Sequence, residues 1–227
     1  MTATQRESEG YSDRPGKAAF VWRRYRPYLE GRRILDVGAD QRHLARHLDP
    51  AAHYWGVGLG GEPDQELDLE GGVLPFGDRE FDTVLCLDVL EHLESLHRVF
   101  DECCRVAAGH LIVALPNAWA AFFQSLRLEP GQRAKALKFY GLPLEPPADR
   151  RRWFFSDAQA EQFLRRRGAR NGWDVVELDY HGGDQAQDWK ARLRRRLTRR
   201  LLHPSLDLAS LGRHTLWAVL ARADRQA

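Results

Sequence analysis

A cluster of acidic and imidazole side chains follows directly on a long apolar run in this sequence. Residues 81–87 read FDTVLCL, and the polarity changes at Asp88, which is followed by Glu91, His92 and Glu94. An imidazole titrates near neutral pH, so His92 is the group in this cluster best suited to accept a proton. The cluster is therefore the first candidate for a functional site.

The apolar run before this cluster predicts a strand in the middle of a parallel sheet. Strands that are covered by helices on both faces are almost entirely apolar, as residues 81–87 are. In open α/β sheets, ligands bind just outside the carboxyl ends of the strands, near a switch in strand order. Asp88 and the residues after it would occupy that position, so we expect an α/β fold with a ligand site there.

A second turn of the same kind lies earlier in the chain. Residues 33–38, RILDVG, predict the first strand of the sheet, and a helix is predicted to follow through about Leu48. A glycine at a strand-to-helix turn lets a ligand approach the backbone, and the helix N-terminus offers unpaired N–H groups. Asp36 and Gly38 are therefore further site candidates.

Composition indicates one globular α/β domain. The chain has 227 residues, of which 43% are hydrophobic and 29% charged, as is typical of a folded domain. No apolar run reaches the roughly 18 residues of a membrane-spanning helix, and residues 1–16 lack the apolar core of a secretory signal. Cys86, Cys103 and Cys104 show no metal-ligand spacing and fit buried thiols in a reducing compartment. We expect a cytoplasmic protein.

Charge is unevenly distributed along the chain. The net charge is +2, but residues 1–100 carry 12 Lys and Arg against 18 Asp and Glu, whereas residues 101–227 carry 22 against 14. The two halves therefore have net charges of −6 and +8. Such an asymmetry points to an anionic partner for the C-terminal half.

Two stretches resemble motifs of class I S-adenosylmethionine-dependent methyltransferases. Residues 74–93, LPFGDREFDTVLCLDVLEHL, resemble the motif that closes the cofactor pocket in the branch of ubiquinone and menaquinone biosynthesis enzymes. Residues 33–48 resemble the first motif, in which Gly usually occupies three alternate positions; this chain keeps Gly38, whereas Asp40 and Arg42 replace the others. The resemblance implies a Rossmann-like sheet of seven strands, mostly parallel with an antiparallel terminal strand.

The resemblance also implies S-adenosylmethionine as the cofactor and a set of residues that bind it. The second strand of the family, here residues 53–59, usually ends in an acid that binds the ribose. That position is Gly58 in this chain, and Glu62 or Asp64 either replaces the acid or is a solvated loop residue. Asp68 matches the position beside the adenine. A carboxylate there can accept a hydrogen bond from the adenine amine. The implied cofactor-binding residues are Asp36, Gly38, Ala39, Asp40, Gly58, Leu59, Asp68, Leu69, Asp88 and His92, with no metal ligand.

His92 is the candidate catalytic base, because it lies beside the predicted cofactor site. A cofactor-shaping or packing role is the alternative for this side chain. Tyr140 and His181 are weaker candidates for the base. A helix is predicted from Leu90 to Val106, with Asp88 near its start, so capping is the alternative role for that carboxylate.

The predicted organisation is a tail and leading helix over residues 1–30, followed by a single domain over 31–227. A first insertion, about 118–155, is long and rich in Pro and aromatic residues, as substrate-recognition segments are. A second, about 182–213, interrupts the predicted terminal strands, 173–180 and 215–221. Residues 189–202 within it predict a basic amphipathic helix with an apolar residue every fourth position. It either packs on protein or lies on an anionic membrane surface, which would place the chain at the inner face of the membrane.

Three functions remain open at this point. The first is methyl transfer to a small, glycan-linked or lipid-linked acceptor. The second is a non-catalytic methyltransferase-fold protein that serves as a scaffold, because Gly58, Asp40 and Arg42 depart from the family pattern. The third is nucleic-acid binding or modification, which ranks last because no aromatic residues alternate with the arginines for base stacking. The oligomeric state is left open.

Overall fold

The computed structural model describes residues 11, 13–126, 128–129, 132, 144–146, 149–182 and 209–223. Within them seven strands form one sheet. These are β1 (Arg33–Val37), β2 (His53–Gly58), β3 (Gln65–Glu66), β4 (Phe81–Leu87), β5 (Ala107–Pro116), β6 (Trp173–His181) and β7 (Thr215–Arg222). Their order is β3-β2-β1-β4-β5-β7-β6. β1 to β5 run parallel, and β7 is antiparallel to both of its neighbours. The predicted fold class is confirmed.

Helices cover the two faces of the sheet. The described α-helices are α1 (Arg14–Leu29), α2 (Leu96–Val106), α3 (Ala118–Ser125) and α4 (Asp157–Arg170). Side chains alternate between faces along a strand, so neighbouring residues of the central strands enter different cores. Leu85 packs on the α1 side with Val21, whereas Val84 packs on the other side with Phe100 of α2 and Leu164 of α4.

The predicted helix after β1 is wrong. The chain forms only a 3₁₀ helix there, His43–His47, of which Leu44 is the buried residue. Asp40 and Arg42 adopt left-handed backbone conformations, with φ of 46° and 52°, and a non-glycine residue in that conformation breaks a regular α-helix. The predicted third strand, residues 65–69, is likewise shorter, because only Gln65–Glu66 pair with β2.

The helix predicted from Leu90 begins six residues later, at Leu96. Asp88 has a φ of 58°, a 3₁₀ helix follows over Leu90–His92, and Leu93 is extended. The apolar spacing runs through this irregular segment because its leucines are buried like those of the helix. Asp88 therefore does not cap α2; Ser95 occupies the N-cap position.

Other predicted features are confirmed within the described residues. Ser156 caps α4 and forms a capping box with Gln159. Cys86, Cys103 and Cys104 are buried free thiols. Among the described helices, none combines the length and the apolar character that crossing a membrane requires. The predicted basic helix at 189–202 and the candidate Tyr140 lie outside the described residues, as do most of the second predicted insertion and part of the first.

Candidate functional site

The predicted site residues meet at the carboxyl edge of the sheet. Asp36 and Gly38 lie at the end of β1, Gly58 at the end of β2 and Asp88 just after β4. Gly38 has a φ of 86°, and a Cβ atom built there would lie 2.3 Å from Cγ2 of Val89. Only a glycine lets the turn after β1 pack this closely against the turn after β4. The two motifs recognised in the sequence are therefore in direct contact.

Two N–H groups of the turn after β1 are already bound. The amides of Gly38 and Ala39 both donate to the carbonyl of Val57, at 2.7 and 3.1 Å. Since the α-helix predicted to follow is absent, the turn also lacks an α-helix N-terminus with free N–H groups. Fewer backbone N–H groups are thus free to bind a ligand than the resemblance implies. Side chains must therefore provide more of the binding.

The loop after β2 folds onto this turn. The amide of Glu62 donates to the carbonyl of Asp40 at 2.8 Å, and a Cβ at Gly61 would lie 2.4 Å from that carbonyl oxygen. Asp64 pairs with Arg42 at 2.8 Å and accepts from the amide of residue 56 at 2.8 Å. Asp64 therefore fastens the loop through Arg42, a residue that departs from the glycine pattern; its role as the ribose acid stays a prediction.

Gly58 and Leu59 occupy the position where the family usually has its ribose acid. Gly58 is buried, and a Cβ there would lie 3.4 Å from Cα of Gly38, which is van der Waals contact. The side chain of Leu59 is exposed. A Cβ atom at position 58 would therefore fit with little displacement of the turn.

Asp68 and Leu69 lie beyond β3 on the same edge. One carboxylate oxygen of Asp68 accepts from the amide of Glu70 at 2.9 Å and caps the 3₁₀ helix Leu69–Gly71. The side chain of Leu69 is buried. Asp68 itself is exposed, so its second carboxylate oxygen can accept from an adenine amine.

Asp36 is a buried acid held by a tyrosine. The hydroxyl of Tyr54 donates to Oδ2 of Asp36 at 2.7 Å. Burial raises the pKa of Asp36 to about 6, against the smaller lowering effects of the Tyr54 hydrogen bond and of the Lys17 charge. Near neutral pH this carboxylate is therefore easily neutralised, and a cationic ligand group beside it would favour the charged form.

Two cations of α1 reach this edge and were missed in the sequence. Lys17 pairs with Asp88 at 2.6 Å, and Arg14 forms a close ion pair with Asp40. Both contacts join residues that are far apart in the chain, so no local spacing predicts them. They place positive charge beside a site that otherwise contains acids.

His92 lies between two carboxylates. Its Nδ1 is 2.6 Å from Oδ1 of Asp149, and its Nε2 is 3.4 Å from Oε1 of Glu91. Burial lowers the pKa of His92, but these carboxylates outweigh the effect, so its pKa is raised. A protonated imidazole has no free lone pair with which to accept a proton. This geometry favours a positioning role; the catalytic role of His92 remains a prediction.

The segment that precedes α4 is fastened to the turn after β4. The amide of Arg152 donates to the carbonyl of Glu91 at 2.9 Å, and the indole of Trp153 donates to the carbonyl of Leu93 at 2.7 Å. The side chain of Glu91 is fully buried 3.7 Å from Arg151, and burial raises the pKa of this carboxyl. The end of the first insertion, residues 151–153, is thus part of the candidate site.

The charges at this edge fit S-adenosylmethionine. Its methionine portion carries an ammonium and a carboxylate, and the edge offers carboxylates at Asp36 and Asp88 and cations at Lys17 and Arg14. Among the described residues, no group of His, Cys, Asp and Glu is arranged to hold a metal ion. A cleft of about 320 Å³ lies at the opposite, amino edge, between Arg33, Trp55 and Phe81, far from these groups.

The strand order and the turns after β1 and β4 together define a class I methyltransferase fold. A family model described as a methyltransferase domain matches residues 13–178. The chain therefore belongs to this family of methyltransferase domains. Membership confirms the predicted enzyme class and S-adenosylmethionine as the cofactor. No curated protein matches the sequence.

Solved structures show the same fold. A SAM dependent methyltransferase from Archaeoglobus fulgidus matches with a TM-score of 0.60 at 16% identity, over 97% of this chain and 100% of that one. One from Mesorhizobium loti matches with a TM-score of 0.52 at 17% identity, over 89% and 97%. Magnesium protoporphyrin IX methyltransferase from Synechocystis PCC 6803, with bound SAH, matches with a TM-score of 0.50 at 14% identity, over 97% and 92%. At these identities the likeness is one of fold.

Proposed function

We propose that this chain transfers the methyl group of S-adenosylmethionine to a small, glycan-linked or lipid-linked acceptor, as an enzyme of the branch that resembles ubiquinone and menaquinone biosynthesis methyltransferases. The observation that carries the proposal is the meeting of Asp36, Gly38 and Asp88 at one edge of the sheet, with Lys17 beside them. The long aromatic segment that precedes α4 in the sequence supports a role in acceptor recognition, because loops of this length are usually functional.

In this proposal each charged residue has one task. S-adenosylmethionine supplies an electrophilic methyl group. Lys17, released from Asp88, would pair with the carboxylate of the cofactor, and Asp36 would face its ammonium. Asp68 would accept from the adenine amine through its free oxygen. The segment fastened at Glu91 would close over the site and exclude water, which strengthens these charge interactions.

Calorimetric titration of the purified chain with S-adenosylmethionine and S-adenosylhomocysteine tests the proposal. We expect both to bind. A thermal-shift measurement at millimolar ligand is the second readout on the same sample. If neither compound produces binding heat or a change in melting temperature, the chain is not a methyltransferase enzyme, and the scaffold alternative remains.

The scaffold alternative has a specific motive, because Gly58 removes the ribose acid and Asp40 and Arg42 replace glycines. A variant with Gly58→Asp and Asp40→Gly restores the family residues at these two positions, and a Cβ atom at position 58 makes only van der Waals contacts. A charge-assisted hydrogen bond contributes about 1.5–3 kcal/mol, so a ribose-binding carboxylate should tighten binding at least tenfold. Wild-type affinity equal to that of the variant would show that these departures are harmless.

Localisation is part of the proposal. We propose a cytoplasmic enzyme that attaches to the inner face of an anionic membrane through residues 189–202, which lie outside the described residues. The support is the sequence pattern of these residues and the charge of +8 in the C-terminal half. Flotation with phosphatidylglycerol vesicles tests it, with Arg195→Glu/Arg196→Glu as the variant that should stay soluble. Equal recovery in the soluble fraction with and without vesicles would contradict membrane attachment.

A further inference from the structure

A pair of histidines, His181 and His214, lies at the same carboxyl edge as the predicted cofactor residues. β5 ends at Pro116, β6 ends at His181, and Thr215 at the start of β7 pairs with both. The amide of His214 donates to the carbonyl of His181 at 2.8 Å. In the strand order, β5 separates this histidine pair from β4, which carries Asp88.

The ring of His214 is held in place by three elements. Gly182 has a φ of 84°, and a Cβ there would lie 2.0 Å from Cδ2 of His214, so the ring lies directly on the glycine. Its Nε2 is 3.0 Å from the side-chain amide nitrogen of Gln124 in α3. The amide of Asn117 donates to the carbonyl of His214 at 2.7 Å. This imidazole therefore forms a fixed wall at the edge of the sheet.

The ring of His181 is held by stacking and keeps its nitrogens available. It stacks on Tyr11, with ring centroids 4.4 Å apart and planes 11° from parallel, and Phe20 lies 6.1 Å away. Among the described residues, burial and nearby charges act on the His181 imidazole, and no hydrogen bond to its ring nitrogens does. An aromatic stack fixes the ring plane without using the lone pair.

The charges around His181 favour its neutral form. Burial lowers the pKa of His181, and the nearby His214 and Lys17 lower it further, while Asp179 and Asp88 oppose them. Burial lowers the pKa of His214 as well. At neutral pH the His181 ring therefore has a lone pair for a proton. His92 differs, because both of its nitrogens face carboxylates.

We propose that His181 is the residue that accepts the proton of the methyl acceptor, with Tyr11 and His214 forming the walls of the acceptor site. This inference rests on the proposed methyl transfer. The acceptor oxygen forms a bond to the methyl carbon as the carbon–sulfur bond breaks and the sulfur keeps the electron pair. The acceptor proton passes to the free nitrogen of His181 and then to solvent.

The acceptor class follows from the need for a base. A carboxylate is already deprotonated at neutral pH and needs no proton acceptor, whereas an alcohol or phenol must lose its proton as the new bond forms. Of these two acceptor classes, the His181 site fits the hydroxyl group.

The charge of the cofactor offers a test that needs no acceptor. S-adenosylmethionine has a sulfonium at the reacting centre, whereas S-adenosylhomocysteine has a neutral sulfur there and is otherwise matched. A base that contacts the acceptor lies within about 7 Å of the sulfonium, and a unit charge at that distance lowers the pKa of an imidazole by on the order of one unit. We would measure histidine pKa values by NMR in the two complexes, assigning His181 with His181→Gln.

We expect the pKa of His181 to be about one unit lower in the S-adenosylmethionine complex than in the S-adenosylhomocysteine complex. His53, at the amino end of β2, is the internal control and should not change. Equal values for His181 in the two complexes would overturn the inference while leaving cofactor binding intact. A larger shift at His92 would also overturn it and return the base to that residue. If calorimetry on the same sample shows neither compound binding, the proposed function fails instead.

Discussion

Replacing Gly38 by Ala tests whether the contact between the two site turns is as close as the structure shows. The backbone at Gly38 has a φ of 86°, and the new Cβ would lie 2.3 Å from Cγ2 of Val89. A left-handed conformation costs a non-glycine residue about 1–2 kcal/mol, and the displacement needed to relieve the overlap costs about 1–3 kcal/mol. We expect the free energy of unfolding to fall by about 2–5 kcal/mol in total.

Gly31→Ala is the matched control for this substitution. Gly31 also has a positive φ, 64°, but no atom lies within 4 Å of a Cβ built there. It should therefore show the backbone cost alone, about 1–2 kcal/mol. Urea denaturation of both variants separates the backbone cost from the steric cost.

Val89→Ala completes a double-mutant cycle, because it removes the atom that the new Cβ would meet. The steric part of the Gly38→Ala effect, about 1–3 kcal/mol, should disappear when Val89 is also truncated. A Gly38→Ala cost equal to that of Gly31→Ala, or independent of Val89, would refute the packing of the two turns.

Three further predictions concern polar side chains at the site and at the helix caps. The pKa of Asp36 is raised from 3.8 to about 6 in the folded state, so the folded chain binds more protons and stability falls as pH rises between about 4 and 6. Urea denaturation should therefore show that Asp36→Asn stabilises the chain by about 2–3 kcal/mol at pH 7.5 but not at pH 4. An equal effect at both pH values would contradict the raised pKa of Asp36. Asn117 is buried, caps α3 and donates to the carbonyl of Ser210 at 2.7 Å. In the same assay, Asn117→Ala should lower the free energy of unfolding by about 2–4 kcal/mol. A loss smaller than that of an exposed helix cap would count against this role. Ser156→Ala should cost about 1 kcal/mol and Ser156→Thr much less, whereas equal melting temperatures would show that the capping box of α4 adds nothing.

The regular elements of the sheet could be predicted because their signals are local. Residues 81–87 form β4 with the predicted bounds, since an apolar run of strand length has few alternatives. The capping box of Ser156 is equally local. By contrast, the irregular segment from Asp88 to Ser95 has the apolar spacing of a helix, so the pattern predicted a helix that begins too early.

The interactions within the site could not be predicted in this way. Lys17 is 71 residues from Asp88, and Asp149 is 57 residues from His92, so only the folded chain brings each pair together. A residue's type shows what it can do, but its protonation depends on neighbours that sequence spacing does not identify. This is why His92 was the favoured base in the sequence, whereas the geometry favours His181.

The antiparallel pairing of β6 and β7 joins two parts of the chain that are far apart in sequence. His181, at the end of β6, pairs directly with Thr215, at the start of β7. The side chain of Asn117, at the start of α3, donates to the carbonyl of Ser210 at 2.7 Å. Three stretches that are distant in sequence therefore meet at the carboxyl edge, so we expect a substitution in any one of them to change the surroundings of the other two.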